Sequence, residues 1–375
     1  MPRLEHAAPE QIGLDPARLS VAYSLMRKWT TGPDAPIPSG AILVGRRGRT
    51  VAPRFFGRQG PEPGAEPIRQ DGMFLLASIT KPMTYLAAML LVERGLLNLS
   101  DPVARYLPDF AAHHKENVLV QHLMTHTSGM PDMLPNNLEL RKRHAPLKEF
   151  IKGAIAAVPL FPAGTNYSYQ SMGTLVVAEL IQRLSGASIR DFLRREIFEP
   201  LGMDSTALGS RGLARERLVR VEIPESQQGS DFSWNSTYWQ EFGAPWGGLF
   251  SAPEDFALIC QLMLNKGQLN GTRLLSPGTV DAMTTNRLDD QPELPESVRR
   301  AQPWGLGWRL NHRGTPASWG DLLGPRTFGH TGATGTMCWI DPDRDGFCLL
   351  FTTAIRSKAP WRLVHLSNAV AAAFI

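Results

Sequence analysis

Residues 74–95 read FLLASITKPMTYLAAMLLVERG, and the reading of this stretch decides the fold. Ser78-Ile79-Thr80-Lys81 sets a serine and a lysine three positions apart at the head of an apolar helix. Positions i and i+3 share one helix face, so the lysine amine reaches the serine oxygen. Pro82 is tolerated only in a first helical turn, where its missing N–H costs nothing. The spacing therefore predicts a helix that begins near residues 78–81, with Ser78 at its N-terminus. Unpaired N–H groups and the helix dipole favour negative charge there. A serine that carries an alkoxide or acyl intermediate benefits from that placement. Ser-x-x-Lys has only two fixed positions, so its meaning depends on the rest of the chain.

Composition narrows the class. The chain has 375 residues, 43% hydrophobic and 20% charged. That describes a globular chain of two domains or one large one. With 39 basic and 35 acidic residues the net charge is +4, too weak and too evenly spread to point to nucleic acid. Cys260, Cys338 and Cys348 are odd in number and widely spaced. They read as buried free thiols, with Cys338 and Cys348 facing each other across a hairpin without a bridge. The first residues, MPRLEHAAPEQIGL, contain no apolar secretory core. No run reaches the ~18 apolar residues of a membrane helix. A cytoplasmic enzyme without membrane association is the expectation.

Outward from residue 78, the chain ends read as strands and the middle as helices. Ser39 to Ala52 gives a strand, a turn and a second strand, and 327–354 gives a hairpin turning at Asp341 to Gly346. Residues 147–200 show helical periodicity, broken at Pro159 and closed at Gly186. His122 and His126 share a helical i, i+4 spacing, but no Glu follows His122 and no third ligand is evident. They read as structural histidines rather than a metal site. Residues 225–247 are polar and aromatic with few regular signals, a composition common in loops that line binding sites.

Three further stretches bear on chemistry. Gly164-Thr165-Asn166-Tyr167-Ser168-Tyr169-Gln170-Ser171 places tyrosines between a turn and a helix. A phenol acts as a base only if a cation lowers its pKa from about 10, and Lys81 is the candidate. Gly329-His330-Thr331-Gly332 opens a strand whose small residues admit a substrate to the backbone, where a free N–H stabilises an oxyanion. Pro245-Trp246-Gly247-Gly248 forms a glycine-rich turn before a helix.

In order, SITK, VLVQHLMTHTSGM, GTNYSYQS, WGGLFS, WGLGW and GHTG resemble the serine β-lactamase superfamily. The likeness is to class C β-lactamases, family VIII carboxylesterases, D-aminopeptidases and penicillin-binding relatives, over about residues 10–370. The resemblance implies an α+β fold: a helix-flanked antiparallel sheet from both chain ends (1–75 with 230–375), a mainly helical domain (76–229), and an active site between them. It implies Ser78 as acylated nucleophile, Lys81 as its partner and Tyr169 as the motif tyrosine, with Tyr167 the alternative. The backbone N–H groups of Ser78 and Ala333 would form the oxyanion hole. Ser171, His330, Thr331, Gly332 and Trp246 would contact a small ester or amide substrate. No metal or organic cofactor is implied, and the oligomeric state is open.

Two departures matter. The family's Tyr-x-Asn ends here in Ser171, for which Gln170 is a partial substitute. The third motif has His330 where β-lactamases carry lysine. A histidine is largely neutral near pH 7, so both changes favour small esters over β-lactams and carboxylate-ended peptides. The expectation is a carboxylesterase, with β-lactamase, D-amino-acid peptidase, acyltransferase and a non-catalytic scaffold as the alternatives.

Overall fold

The structure, a computed structural model, describes residues 3–32, 34–311 and 319–375. Its largest sheet is antiparallel and draws on both ends of the chain. The strands are β1 (Ser39–Arg46), β2 (Arg49–Thr50) and β3 (Arg54–Gly57) from the first part. A short three-stranded sheet then holds β4 (Phe74–Leu75), β5 (Thr206–Leu208) and β6 (Leu249–Ser251) in the order β4-β6-β5. A small ribbon contains β7 (Gln268–Leu269) and β8 (Thr272–Arg273). The last strands are β9 (Arg309–Leu310), β10 (Phe328–Thr331), β11 (Thr336–Asp341) and β12 (Gly346–Thr352). The large sheet runs β2-β1-β12-β11-β10-β9, with β3 also on β1.

Both faces of this sheet are covered, so its central strands are apolar throughout rather than alternating. The side chains still alternate between two cores. Ile42, Val44, Trp339 and Leu350 pack under the helix α1 (Pro16–Thr30) and the C-terminal helix Trp361–Ala371. Leu43, Ile340, Leu349 and Phe351 face the larger core that continues into the helical part. α1 starts where Asp15 accepts the N–H groups of Ala17 and Arg18 at 2.8 and 3.1 Å, with Pro16 following, a strong N-cap. Leu19, Ala22, Tyr23 and Met26 give it one buried face.

The hairpin at 327–354 is part of a three-stranded meander, because β10 pairs with β11 as β11 pairs with β12. Its register corrects the expectation for the cysteines. Cys338 is opposite Leu349 and Cys348 is opposite Trp339. The one-residue offset sends the thiols to opposite faces, and all three cysteines are free and buried. Residues 225–247 are also more regular than expected. The helix Thr237–Phe242 is capped by Ser236, whose hydroxyl accepts the Trp239 N–H at 3.2 Å. Among the described residues no helix is long and apolar enough to cross a membrane.

α2 (Thr80–Glu93) threads between the sheet and the helices. It follows a 3₁₀ turn, Ala77–Ile79, that directly succeeds β4. Every residue from Thr80 to Leu91 is buried, as expected of a helix apolar on all sides. The turn is pinned from several directions. Leu76 N–H donates to Leu249 O at 2.8 Å, and Leu249 N–H donates to Thr80 Oγ1 at 3.0 Å. Thr334 and Thr336 hydroxyls donate to Leu75 O and Leu76 O at 2.7 and 2.9 Å.

Candidate active site

Between Gly72 and Leu91, Ser78 is the one residue that is not buried. The turn that presents it bends through Ala77 at φ +47°, a left-handed conformation that costs a non-glycine residue energy and that packing must hold in place. Lys81, one helical step on, is wholly buried. Its Nζ donates to Ser78 Oγ at 3.2 Å and to Trp246 O at 3.1 Å. Burial lowers its pKa to about 7, and the charge of Asp132 partly opposes the shift. Desolvation penalises an ammonium, so near neutral pH this amine is available as a base.

Tyr169 covers the same amine, with Lys81 Nζ 4.7 Å from its ring centroid. Burial pushes the phenol well above its ordinary pKa, and the hydrogen-bonding hydroxyl of Ser78 works against that rise. Lys81 is not among the groups that move it. Burial thus raises the phenol where the expectation had Lys81 lowering it, and the amine is the group shifted toward neutrality. Tyr167 is directed elsewhere. It accepts Trp304 Nε1–H at 2.8 Å, and burial raises it to about 12.

The cleft holds about 300 Å³ and is walled by Ser78, Tyr167, Tyr169, Trp304, Arg309, Trp319, Arg356 and the run His330 to Ala333. β10 brings the last four to the nucleophile turn. Gly332 makes that approach possible, because a Cβ there would collide with Thr336 Oγ1 and Leu76 O. The Ala333 N–H finds no backbone acceptor among the described residues, and the residue is exposed in the cleft.

His330 is buried, with Nδ1 2.8 Å from Thr331 O. Only a protonated Nδ1 can donate there, which leaves Nε2 as a lone-pair acceptor, and that atom has no partner. Burial and the Lys81 charge lower its pKa to about 3. The imidazole is neutral across ordinary pH and supplies no cation.

Two expected substrate contacts fall outside the cleft wall. Ser171 is buried and its hydroxyl donates to Asp132 Oδ1 at 2.6 Å. Trp246 packs in an aromatic cluster with Phe150, Trp239 and Phe242. Only its carbonyl, through Lys81, serves the site. Gln170 cannot replace the missing asparagine. Its Nε2 donates to Leu123 O at 3.1 Å and its Oε1 accepts from Ser128 at 2.7 Å. The aromatic segment around Tyr238 and Phe242 lines a separate cavity of about 380 Å³ with His144 and Arg190. That cavity is larger, yet the paired serine and amine lie in the smaller one.

Sequence reasoning missed five neighbours: His126, Trp304, Arg309, Trp319 and Arg356. His126 lies 4.6 Å from the Tyr169 ring and 4.5 Å from Trp304, and its Nδ1 accepts the Gln170 N–H at 3.2 Å. His122 sits away from the wall and accepts the Leu119 N–H at 3.2 Å. Both histidines are desolvated, their pKa values lowered. Among the described residues no cluster of metal-ligating side chains occurs. The stretch 118–130 carried a weak signal for His126, and two isolated arginines carried none.

A family model described as Beta-lactamase matches residues 26–371. A Salmonella agona (strain SL483) protein named "Putative D-alanyl-D-alanine carboxypeptidase" is 27% identical over 376 residues, covering 91% of this chain and 84% of its own. A solved family VIII carboxylesterase is 20% identical with a TM-score of 0.74, over 98% of this chain and 99% of that one. A solved hydrolase with promiscuous acyltransferase activity is 18% identical with a TM-score of 0.75, over 95% and 98%. At these identities the two structures show a shared fold.

Proposed function

The chain belongs to the beta-lactamase family, and on that premise we propose that it is a serine hydrolase acylated at Ser78, a carboxylesterase on small acyl esters. The observation that carries this reading is the buried Lys81 amine, 3.2 Å from Ser78 Oγ and with a pKa near 7. A neutral amine accepts the serine proton as Oγ attacks the ester carbonyl. The N–H groups of Ser78 and Ala333 hold the tetrahedral oxyanion, worth about 2.7–4 kcal/mol per donor. Tyr169, which keeps its proton, passes it to the departing alkoxide and is reprotonated from Lys81. Water then attacks the acyl-enzyme, with the same groups in reverse roles.

The neutral His330 and the committed Gln170 and Ser171 support esters over β-lactams. Side-by-side assays of short acyl p-nitrophenyl esters and a chromogenic cephalosporin, with wild type and Ser78→Ala, test the reading. Faster ester turnover that depends on Ser78 is expected, and the reverse preference rejects it. Acyl transfer to an alcohol is the second reading, favoured by the solved hydrolase with promiscuous acyltransferase activity. Partition of the acyl-enzyme between water and added alcohol measures it.

A further inference from the structure

The second cavity, of about 380 Å³, lies where the helices Leu147–Ala156 and Ile189–Leu193 meet the end of the helix Thr237–Phe242. It shares no lining residue with the cleft that holds Ser78. Rings form one wall. His144 lies flat on Tyr238, with centroids 4.5 Å and planes 13° apart, and Tyr238 packs on Phe242 at 5.6 Å. The neutral polar side chains around the cavity are already engaged. Tyr238 Oη donates to Ala145 O at 3.0 Å, and Ser188 Oγ donates to Asp191 Oδ2 at 2.6 Å. Gln182 donates to Glu179 at 2.8 Å and accepts the Ile189 N–H at 3.1 Å.

The cations are less well matched. Arg190 and Arg211 both line the cavity. Arg190 donates through Nη2 to Glu241 O at 2.7 Å, but its Nη1 is buried without a partner. Room for this guanidinium is built into the backbone, because a Cβ at Gly243 would lie 2.7 Å from Nη2 and one at Gly209 3.1 Å from both nitrogens. The acids whose charge Arg190 feels, Asp191 and Glu241, are committed elsewhere. Asp191 holds Ser188 and lies 3.7 Å from Arg194, and Glu241 is shared by Arg211 at 3.5 Å and Arg215 at 2.6 Å. The residues outside the described set include no Asp or Glu. A half-buried guanidinium with an unmet N–H loses hydration that it does not regain. Capping the helix Thr237–Phe242 takes one of its nitrogens, so the cap does not account for a second cation on the same aromatic wall. An anion would answer both guanidiniums, and a flat ring would cover the wall. We propose that this cavity binds a planar aromatic carboxylate, its ring against Tyr238 and Phe242 and its charge on Arg190 and Arg211. The site is separate from the chemistry at Ser78 and does not depend on the hydrolase reading.

Equilibrium dialysis with 2-naphthoate tests it, against the neutral 2-naphthalenemethanol and against acetate, which lacks the ring. One equivalent of naphthoate is expected to bind, about tenfold or more tighter than either control. Arg190→Met removes the preference over the neutral ligand. Arg211→Met, at a side chain that is 68% exposed and so dispensable for folding, lowers it about two- to fivefold. The double variant Arg309→Met/Arg356→Met, which alters the nucleophile cleft alone, leaves naphthoate affinity unchanged. Far-UV circular dichroism establishes that the variants fold. Four results overturn the inference: no saturable naphthoate binding, equal affinity for either control, a preference that survives Arg190→Met, or binding that is lost in the cleft variant. If Arg190→Met does not fold, Arg211→Met decides. A lowered preference there supports the site, and an unchanged one overturns it.

Discussion

Lys81 Nζ lies 3.2 Å from Ser78 Oγ and 3.1 Å from Trp246 O, inside a helix turn from which solvent is excluded. One contact is the route by which the proposed base reaches the serine, and the other fixes where the amine points. The carbonyl accepts from an amine as well as, more strongly, from an ammonium, so it orients Lys81 in either charge state. Burial sets the charge.

Removing either member should end turnover. Ser78→Ala and Lys81→Met are each expected to lose about 10⁴-fold or more in kcat. The two losses should not add, because each disables the same step. Single-turnover kinetics on a p-nitrophenyl ester, with intact-mass detection of the acyl adduct, measures this. An adduct that still forms in Lys81→Met at the wild-type rate would show that the amine is not the base.

The pH profile should follow the amine. Lys81 is effective when neutral, and its pKa is lowered to about 7. The kcat/KM of wild type should therefore be low in acid, rise through an inflection near 7 and level off above it. His330 cannot supply that limb, since it already stays neutral down to about 3. His330→Gln should leave the inflection in place. An inflection near 10 instead would mean that the lysine is not desolvated during the reaction.

The same burial should tax stability. The folded pKa of Lys81 is depressed, so the unfolded chain binds the proton more tightly. The penalty is absent above the unfolded value of about 10.4, grows as pH falls toward 7 and is complete below it. Lys81→Met should thus stabilise the protein at pH 7 by about 1–3 kcal/mol, after allowance for the two hydrogen bonds lost. Urea unfolding at about pH 7 and pH 10 gives the sign, with the gain smaller at the higher pH.

The two tyrosines should separate cleanly. Tyr169 faces Ser78 and the Lys81 amine, while Tyr167 is held by Trp304. Tyr169→Phe is expected to cost about 10²–10⁴-fold in kcat through the lost proton donor. Tyr167→Phe should act mainly on KM, since its hydroxyl steadies an aromatic wall. A larger kcat loss in Tyr167→Phe would exchange their roles.

Much of this was legible in the sequence where local rules and tertiary demands agree. Pro82 and the apolar run after it place α2 correctly, and the β11–β12 turn falls where Asp341 to Gly346 puts it. Long-range features were not legible. Nothing local reveals that Arg309, on a two-residue strand, and Arg356, in a turn, meet beside Ser78. Nor does Ser171 announce that Asp132, 39 residues away, accepts its hydroxyl. Pattern also cannot rank burial against charge. The cation expected to lower the Tyr169 pKa sits over its ring, yet desolvation decides the outcome.

Gly332 is where backbone, sheet and nucleophile come closest. Its N–H donates to Thr336 O at 2.8 Å, and a Cβ would strike Thr336 Oγ1 and Leu76 O. Leu76 is part of the chain that enters the Ser78 turn, and the Thr336 hydroxyl already donates to its carbonyl. A Gly332→Ala methyl must therefore push β10 away from that turn or break the Thr336 contact. A loss of about 1–3 kcal/mol in stability is expected. Activity should fall further than stability, because Ala333 is the next residue and its N–H is the proposed oxyanion donor. Thr336→Ser separates the two effects. It keeps the hydroxyl that bonds Leu76 and removes only a methyl, so it should preserve kcat while costing some stability. A Gly332→Ala enzyme with full kcat and an unchanged unfolding midpoint would mean that the turn and β10 do not constrain each other.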